Sequence, residues 1–166
     1  MSNRHLHQEI ATIKNEISLK TLVRAITKSK GDFSLILARC NCGTVRQQIV
    51  KQLRQQCPVE IRELVLDQSV KTLYTTIVEE LGLEQPSALM VSSLESVKAL
   101  EQLLIATNQV REEFRNFACP LVLWITDEVL QQLIRLVPDF ESWATSIEFA
   151  KVAGESPQYA QLPSVA

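Results

Sequence analysis

The chain opens with two apolar stripes at helical spacing, and both lie in one predicted helix over residues 9 to 29. Isoleucines recur at positions 10, 13 and 17. The second stripe consists of Leu19, Leu22, Val23 and Ile26. Spacings of three and four residues are typical of an amphipathic helix, because such residues share one face. The change of face near Ser18 predicts a bend or two short helices.

Apolar runs of strand length alternate with amphipathic helical segments through the rest of the chain. The runs are residues 34–38, 61–66, 88–91, 120–125 and 146–150. The segments between them repeat apolar residues at helical spacing, and the third is predicted to be one long helix from Val97 to Phe117. Five strands separated by four helices of crossover length predict an α/β fold. We expect a three-layer αβα sandwich around a five-stranded, mainly parallel sheet, with an added N-terminal helix.

The charges on the predicted strands indicate their places in the sheet. The first, third and fourth runs are uniformly apolar, as expected for strands covered on both faces. The second and fifth carry charges, including Glu63 and Glu148, which suit exposed edges. We therefore expect residues 35–37, 89–91 and 121–123 to be buried. Two strand orders fit this pattern equally: 5-1-4-3-2, found in P-loop NTPases, and 2-1-3-4-5, found in flavodoxin-like receivers.

Composition limits the size and the partners of the protein. A chain of 166 residues with 46% hydrophobic content builds one ordinary core. Seventeen basic and nineteen acidic residues give a net charge of −2, so no electrostatic attraction to nucleic acid or anionic membrane is expected. No apolar run approaches the ~20 residues that span a bilayer, and the first residues lack an apolar signal core. We expect a cytoplasmic protein.

Changes in composition divide the chain into three parts. Residues 1–31 form a helical segment predicted to pack on the domain, and residues 32–150 form the α/β domain. Residues 151–166 include two prolines and scattered polar residues without a period, which is the composition of a linker. This tail is interpreted either as a connection to a further domain or as a disordered terminus.

Four cysteines are too few and too scattered to predict a disulfide framework. The pairs Cys40-Asn-Cys42 and His5-Leu-His7 have one-residue spacing, which is shorter than the usual structural zinc knuckle. Small buried thiols are the favoured interpretation, and we expect no metal site. Cys42 precedes a predicted helix N-terminus and is the thiol expected to be the more reactive.

The turn after the first strand has the outline of a phosphate-binding loop. In the pattern G-x-x-x-x-G-K-[ST], residues 38–45 supply Ala-Arg-Cys-Asn-Cys-Gly-Thr-Val. Gly43 matches the second glycine, but Thr44 replaces the lysine and Val45 replaces the magnesium-binding hydroxyl. Backbone N–H groups at the helix start, helped by Arg39, Asn41 or Arg46, are predicted to bind an anion weakly. An ordinary strand-to-helix turn is an equally good interpretation.

Two further strand ends carry candidate binding residues. Glu95 follows the third strand, where a P-loop NTPase carries its acidic pair, although Ser92-x-x-Glu95 also fits a helix capping box. Thr126 follows the fourth strand and matches a sensor residue, but Thr126 or Asp127 is equally plausible as a simple helix N-cap. In a receiver, Thr126 and Lys151 would have functional roles, but the metal-binding acids and the phosphoacceptor aspartate are absent from the matching positions. Only a degenerate receiver remains as an alternative.

Several segments resemble a family of P-loop-like domains. They are FSLILARCNCGTVRQQI, ALMVSSLESV, PLVLWITDEVLQQLIRLVPDFESWA and IEF. The region from residue 19 to 150 is similar to N-terminal AAA- and STAND-type domains of bacterial, notably cyanobacterial, multidomain proteins that carry repeats. The resemblance implies the strand order 5-1-4-3-2, a nucleotide-controlled switch or assembly platform in signalling, and ATP as cofactor.

We expect residues 38–45 to be the remains of a site, folded like a phosphate loop but unable to support magnesium-dependent hydrolysis. We expect a regulatory or assembly module with weak nucleotide or anion binding at most, no catalytic residues, and binding residues Arg39, Asn41, Gly43, Thr44, Glu95 and Thr126. Its expected partners are another protein, a C-terminal repeat domain or a second copy of the chain. An ATPase completed in trans is the alternative from a different class. Phe140 and Trp143 are expected to be core residues.

Overall fold

The computed structural model describes residues 3–152, and within them five parallel strands form a single sheet. The order is β2-β3-β4-β1-β5, so β4 lies between β1 and β3. In chain order the strands are β1 Ser34–Arg39, β2 Arg62–Val65, β3 Leu89–Ser92, β4 Pro120–Ile125 and β5 Thr145–Glu148. Read from the other edge, this is the predicted 5-1-4-3-2. It differs from the flavodoxin-like order, in which the first strand would pair with the third.

Within the same described residues, six helices surround the sheet, and they are α1 Asn3–Lys28, α2 Gly43–Gln56, α3 Leu73–Leu81, α4 Leu100–Gln109, α5 Asp127–Leu136 and α6 Pro138–Ser142. The two short helices predicted as one alternative are absent, because α1 is one continuous helix. Its two apolar stripes face opposite directions and do not require two helices. The N-terminal helical segment is confirmed as a helix that begins earlier than predicted.

The long helix predicted from Val97 to Phe117 is wrong. The observed α4 is ten residues long and lies between 3₁₀ turns at Leu94–Ser96 and Arg111–Asn116. At its end the Val110 N–H is shared between the carbonyls of Ala106 and Thr107, at 3.3 Å each. Such shared bonds are common where an α-helix tightens into 3₁₀ geometry. Spacing alone did not separate these elements, because their apolar residues enter the same core.

The sheet separates two cores and so produces the predicted three layers. Leu35 and Leu37 point to the face covered by α3, α4, α5 and α6, whereas Ile36 and Ala38 point to the face covered by α1 and α2. This alternation follows from the two-residue period of a strand. Residues 35–37, 89–91 and 121–123 are all buried, as predicted. Glu63 and Glu148 on the edge strands are exposed, also as predicted.

The predicted aromatic pair packs unevenly. Phe140 is fully buried, and its ring centroid lies 4.8 Å from that of Phe114. Trp143 is only half-buried: it contacts Phe140 on one side and the Arg115 guanidinium, 4.1 Å from the ring centroid, on the other. Phe140 is therefore a core residue, and Trp143 closes the edge of that core. The predicted tail falls almost entirely on residues 153–166, which lie outside the described residues.

Candidate functional site

The candidate site lies at the carboxyl edge of the sheet, where all five strands end together. Parallel strands place their following turns side by side, and ligands bind at this edge in open α/β sheets. Because β4 lies between β1 and β3, the Thr126 turn is next to the turns that contain Asn41 and Ser93. The structure therefore brings the sequence-predicted candidates to one edge.

The turn between β1 and α2 is tighter than a phosphate-binding loop. Strand β1 continues through Arg39, and the Cys40 N–H donates to the Ile125 carbonyl at 2.9 Å, which extends the pairing by one more residue. Helix α2 begins at Gly43, so only residues 40–42 connect the two elements. We expected this stretch to fold like a phosphate loop, and the extended strand contradicts that expectation.

Backbone conformation leads to the same conclusion. Within residues 3–152, left-handed backbone occurs at Gly31, Gly82 and Ser93, and none of these lies between positions 38 and 45. An anion nest needs a left-handed residue beside a right-handed one, so that successive N–H groups converge. A Cβ built on Gly43 would meet no atom within 4 Å. Gly43 is thus an ordinary first residue of α2, and a tight bend does not require it.

Arg39 and Asn41 both bind Asp127, which follows β4. The Arg39 guanidinium donates to Asp127 Oδ1 at 2.9 and 3.3 Å. The Asn41 side chain donates to Asp127 Oδ2 at 2.9 Å and accepts from the Asp127 N–H at 2.8 Å. A second carboxylate, Glu148, lies 3.9 Å from the Arg39 guanidinium. The side-chain groups predicted to meet an anion are therefore occupied by acidic residues of the same chain.

The charge state of Asp127 reflects these contacts. Its hydrogen bonds from Asn41 and from Arg39, followed by the positive charge of Arg39, hold the pKa of the Asp127 carboxyl below its usual value. An ionised Asp127 offsets the charge of Arg39 throughout the neutral range. Thr126 caps α5, because its hydroxyl accepts from the Val129 N–H at 3.3 Å. The N-cap interpretation of Thr126 is confirmed.

A second ion pair joins Arg46 of α2 to Glu95 after β3, with 3.0 Å between Nη1 and Oε1. The predicted capping box is wrong. Ser92 belongs to β3 and is buried, and the N-cap of the following 3₁₀ turn is Ser93, whose side chain makes no capping hydrogen bond. Glu95 neutralises a helix arginine instead. Thr44 lies exposed on the first turn of α2.

A shallow cleft of about 280 Å³ opens beside the Arg46–Glu95 pair. Its lining combines Arg46 and Ser92 with apolar atoms of Met90 and Trp124. The indole Nε1 of Trp124 is buried and has no hydrogen-bond partner among the described residues. Ser93, also in the lining, has a left-handed φ of 74°. An unpaired buried N–H and a left-handed serine are unusual features that the sequence did not indicate.

Cysteine chemistry adds no centre to this edge. Cys40 and Cys42 are buried and not joined by a disulfide. Burial raises the pKa of the Cys40 thiol, and burial also raises that of Cys119. Within residues 3–152, no group of three or more His, Cys, Asp or Glu residues is placed to hold a metal ion. The expectation that Cys42 is the more reactive thiol stays untested, although its side chain is buried.

Comparison with known proteins does not identify a family. No protein-family model matches the sequence. No curated protein matches it either. The resemblance to AAA- and STAND-type domains therefore stays a prediction that rests on the segments quoted above and agrees with the strand order. Among the helices of residues 3–152, none is long and apolar enough to cross a membrane.

Most of the positions at this edge were predictable from the sequence, but their pairing was not. Arg39 and Asn41 lie in one cluster with Asp127, and Glu95 lies in a second with Arg46. Thr126 caps α5 and joins neither cluster. The partner missed was Asp127, which was considered only as a helix cap. The available signal was an acidic residue directly after a central strand, at the edge where Arg39 also ends a strand.

Proposed function

We propose that this domain is a non-catalytic, NTPase-like regulatory or assembly module in signalling, with weak anion binding at most. The observation that carries the proposal is the pairing of Arg39, at the end of β1, and Arg46, in α2, with acidic residues of the same chain. A nucleotide site needs uncompensated positive charge and converging N–H groups at this edge. The strand order and the resemblance to degenerate AAA- and STAND-type domains support the NTPase-like part of the proposal.

Three groups that nucleotide hydrolysis requires are missing from the positions where a P-loop NTPase carries them. Thr44 carries no charge for the terminal phosphates, and Val45 has no oxygen for magnesium. The Val45 side chain is also buried in the core beneath α2, so it faces away from any ligand. Ser92 and Ser93 offer no carboxylate where β3 ends. Electrostatic stabilisation of the transferring phosphoryl group is the main protein contribution to such catalysis, and these groups would supply it.

Anion affinity is low for a related reason. A phosphate approaching Arg39 competes with Asp127, which already makes charge-assisted hydrogen bonds to it. A phosphate approaching Arg46 meets Glu95 in the same way. Binding that survives this competition is expected to be weak, sensitive to salt and independent of magnesium. The module then acts through its surfaces, on a protein partner or on a repeat domain of a longer chain.

The test is titration calorimetry of the chain with ATP, with and without magnesium, beside a phosphate-release assay. The wild type is expected to show neither magnesium-dependent binding nor turnover. The variant Glu95→Gln/Asp127→Asn should gain weak, salt-sensitive ATP binding, because it removes the carboxylate partner of Arg46 and leaves Arg39 only Glu148, at 3.9 Å. Asp139→Asn is the matched control: it releases Arg111, whose guanidinium lies 3.4 Å from Asp139, and neither residue lines the cleft beside Arg46.

The same measurements decide against the proposal if it is wrong. Tight magnesium-dependent binding by the wild type would contradict it. So would turnover that is lost in Glu95→Gln, which would favour the ATPase alternative. Equal gains in the double variant and in the Asp139→Asn control would show that the two ion pairs at the carboxyl edge have no special role.

A further inference from the structure

The N-terminal half of α1 carries an apolar stripe that the domain does not cover. Leu6, Ile10, Ile13 and Ile17 expose 52%, 42%, 55% and 61% of their surface. Single exposed apolar residues are normal on protein surfaces, but a line of four large aliphatic side chains along one helix marks an interaction site. We call these four residues the outer stripe.

The outer stripe points away from the domain. The buried residues of α1 are Asn15, Leu19, Leu22 and Ile26. At 3.6 residues per turn, the centres of the two faces lie about 180° apart around the helix axis. The C-terminal half of α1 packs on α2 and the sheet. The outer stripe lies towards the N-terminus of the helix and is directed away from the domain. No movement of the domain is needed to expose it.

Its spacing is that of a coiled-coil seam. The intervals from Leu6 to Ile17 are four, three and four residues, which place Leu6 and Ile13 at d positions and Ile10 and Ile17 at a positions of a heptad. Isoleucine at a with leucine at d, as at Ile10 and Leu6, favours two strands, whereas isoleucine at both positions, as at Ile10 and Ile13, favours three or four strands, so the seam residues alone do not fix the number of strands. The domain-bound half of α1 already supplies the helix nucleus, so a short seam does not have to form its own helix.

The charges beside the outer stripe select the partner and its direction. Glu9 occupies a g position and Lys14 the following e position, which face each other across a parallel pair of identical helices. An antiparallel pair would instead bring Glu9 beside Glu16 of the second copy, and Lys14 beside His7. Glu9 also contacts His5 within the same helix at 3.2 Å, and both side chains remain mostly exposed. Opposite charges therefore favour a parallel arrangement.

We infer that the outer stripe of α1 binds the same stripe of a second copy of this chain, forming a short parallel two-stranded coiled coil. The inference supplies the assembly role of the proposed function but does not depend on whether nucleotide binds. Lys20 and Arg24 occupy the next d and a positions, so the apolar seam ends at Ile17. A seam of about two heptads is shorter than a typical stable coiled coil, so the association is weak and depends on concentration.

The two domains would lie on the outer sides of this helix pair, because each packs on the opposite face of its own α1. Asn15 joins α1 to the backbone just after β5, but it lies on the face of α1 opposite to the outer stripe, so the seam does not cover the carboxyl edge of the sheet. Anion binding at the strand ends and self-association through α1 are therefore independent properties of one molecule, and each is measured without the other.

The experiment is sedimentation analysis of the full chain from micromolar to millimolar concentration. The wild type should shift from monomer to dimer. Ile10→Glu/Ile13→Glu should raise the dissociation constant by about tenfold or more, because a charge would enter the seam. Its circular dichroism and thermal midpoint should stay close to wild type, since both side chains are exposed. Ile134→Glu, at an isoleucine of α5 that is 51% exposed, is the matched control and should still dimerise.

Charge exchange tests the direction of the pair. Glu9→Lys should weaken association, and Glu9→Lys/Lys14→Glu should restore it. Lys20→Ile should strengthen a parallel seam by extending it. A wild type that stays monomeric at every concentration, as expected if a different protein covers the stripe, would overturn the inference. Stronger association of Glu9→Lys would overturn the parallel arrangement. ATP calorimetry on the Ile10→Glu/Ile13→Glu variant keeps a failure here distinct from a failure of the proposed function.

Discussion

Asp127 is the residue on which the strand-end network depends, because it accepts hydrogen bonds from both Arg39 and Asn41. Its pKa is lowered in the folded protein, so the ionised form stabilises the fold above the unfolded pKa of about 3.9. That contribution is lost as the pH falls through the lower, folded-state pKa. Half of the side chain is exposed, so solvent screening keeps the contribution below about 1 kcal/mol.

The corresponding prediction concerns Asp127→Asn. We expect this variant to unfold at a lower urea concentration than wild type at pH 7, and the difference to be smaller at pH 3, because the stability that the ionised carboxyl contributes is lost as the pH falls through its lowered folded-state pKa. Urea titrations at both pH values measure the difference. A stability gap that stays constant with pH would mean that the loss comes from packing and not from the charge.

At the scale of elements, α1 is attached to the edge strand β5 by side chains that bind backbone. The Asn15 side chain donates to the Ala150 carbonyl at 2.8 Å and accepts from the Ala150 N–H at 2.7 Å. The Ser18 hydroxyl donates to the Glu148 carbonyl at 2.8 Å. An uncovered edge strand presents unpaired backbone groups, and these contacts cover part of that edge.

Asn15→Ala should therefore reduce the free energy of unfolding by about 1–3 kcal/mol, because it leaves two backbone groups without their partner. Thr12→Ala is the control, since the Thr12 hydroxyl bonds only to the Gln8 carbonyl within α1 and is exposed. Its effect should be close to zero. Denaturant unfolding of both variants checks the pair, and equal losses would contradict a role for Asn15 at the edge.

The two aromatic residues Phe140 and Trp143 should differ in how much they contribute to the stability of the fold. Phe140→Ala should cost about 3–5 kcal/mol, because Phe140 is fully buried and its removal leaves a cavity. Trp143→Ala should cost less, about 1–3 kcal/mol, since Trp143 is half-buried and loses mainly its contacts with Phe140 and Arg115. Thermal unfolding measures both, and a larger loss for Trp143 would place it deeper in the core than it lies here.

Helices and strands were predictable from the sequence where a single physical cause explains the pattern of apolar and charged residues. The uniformly apolar runs at 35–37 and 121–123 and the charges at Glu63 and Glu148 predicted central and edge strands, because burial on one or two faces decides composition. The region from 97 to 117 was not predictable in the same way. Apolar residues at helical spacing there fill one core from an α-helix and from a 3₁₀ turn, and spacing does not distinguish the two.

At the scale of the whole molecule, the candidate site was predictable in place but not in chemistry. The rule that ligands bind at the carboxyl edge pointed to Arg39, Asn41, Glu95 and Thr126. Their pairing was hidden, because Asp127 is 86 residues from Asn41 and meets it only through the β1–β4 pairing. The conformation of residues 40–42 was hidden as well, since β1 runs further than its apolar composition indicates.

Introducing the lysine and the hydroxyl of the phosphate-loop pattern tests whether these two side chains are enough to restore a nucleotide site. In Thr44→Lys/Val45→Ser the chain regains a lysine and a hydroxyl at the phosphate-loop positions, but not the surrounding architecture. Thr44 is exposed and should accept lysine at little cost, whereas Val45 is buried and its change to serine should cost about 2 kcal/mol.

We expect this variant to fold and still to show no magnesium-dependent ATP binding and no phosphate release. The turn at 40–42 is too short and contains no left-handed residue, so its N–H groups do not converge on a phosphate. The new serine hydroxyl would lie in the core, where Val45 lies now. Arg39 and Arg46 would remain paired with their acidic partners. Thr44→Lys alone is the control, because it adds charge without disturbing the core. Magnesium-dependent binding gained by the double variant, and not by the control, would show that the turn can refold around phosphate and that side-chain loss alone had inactivated the site.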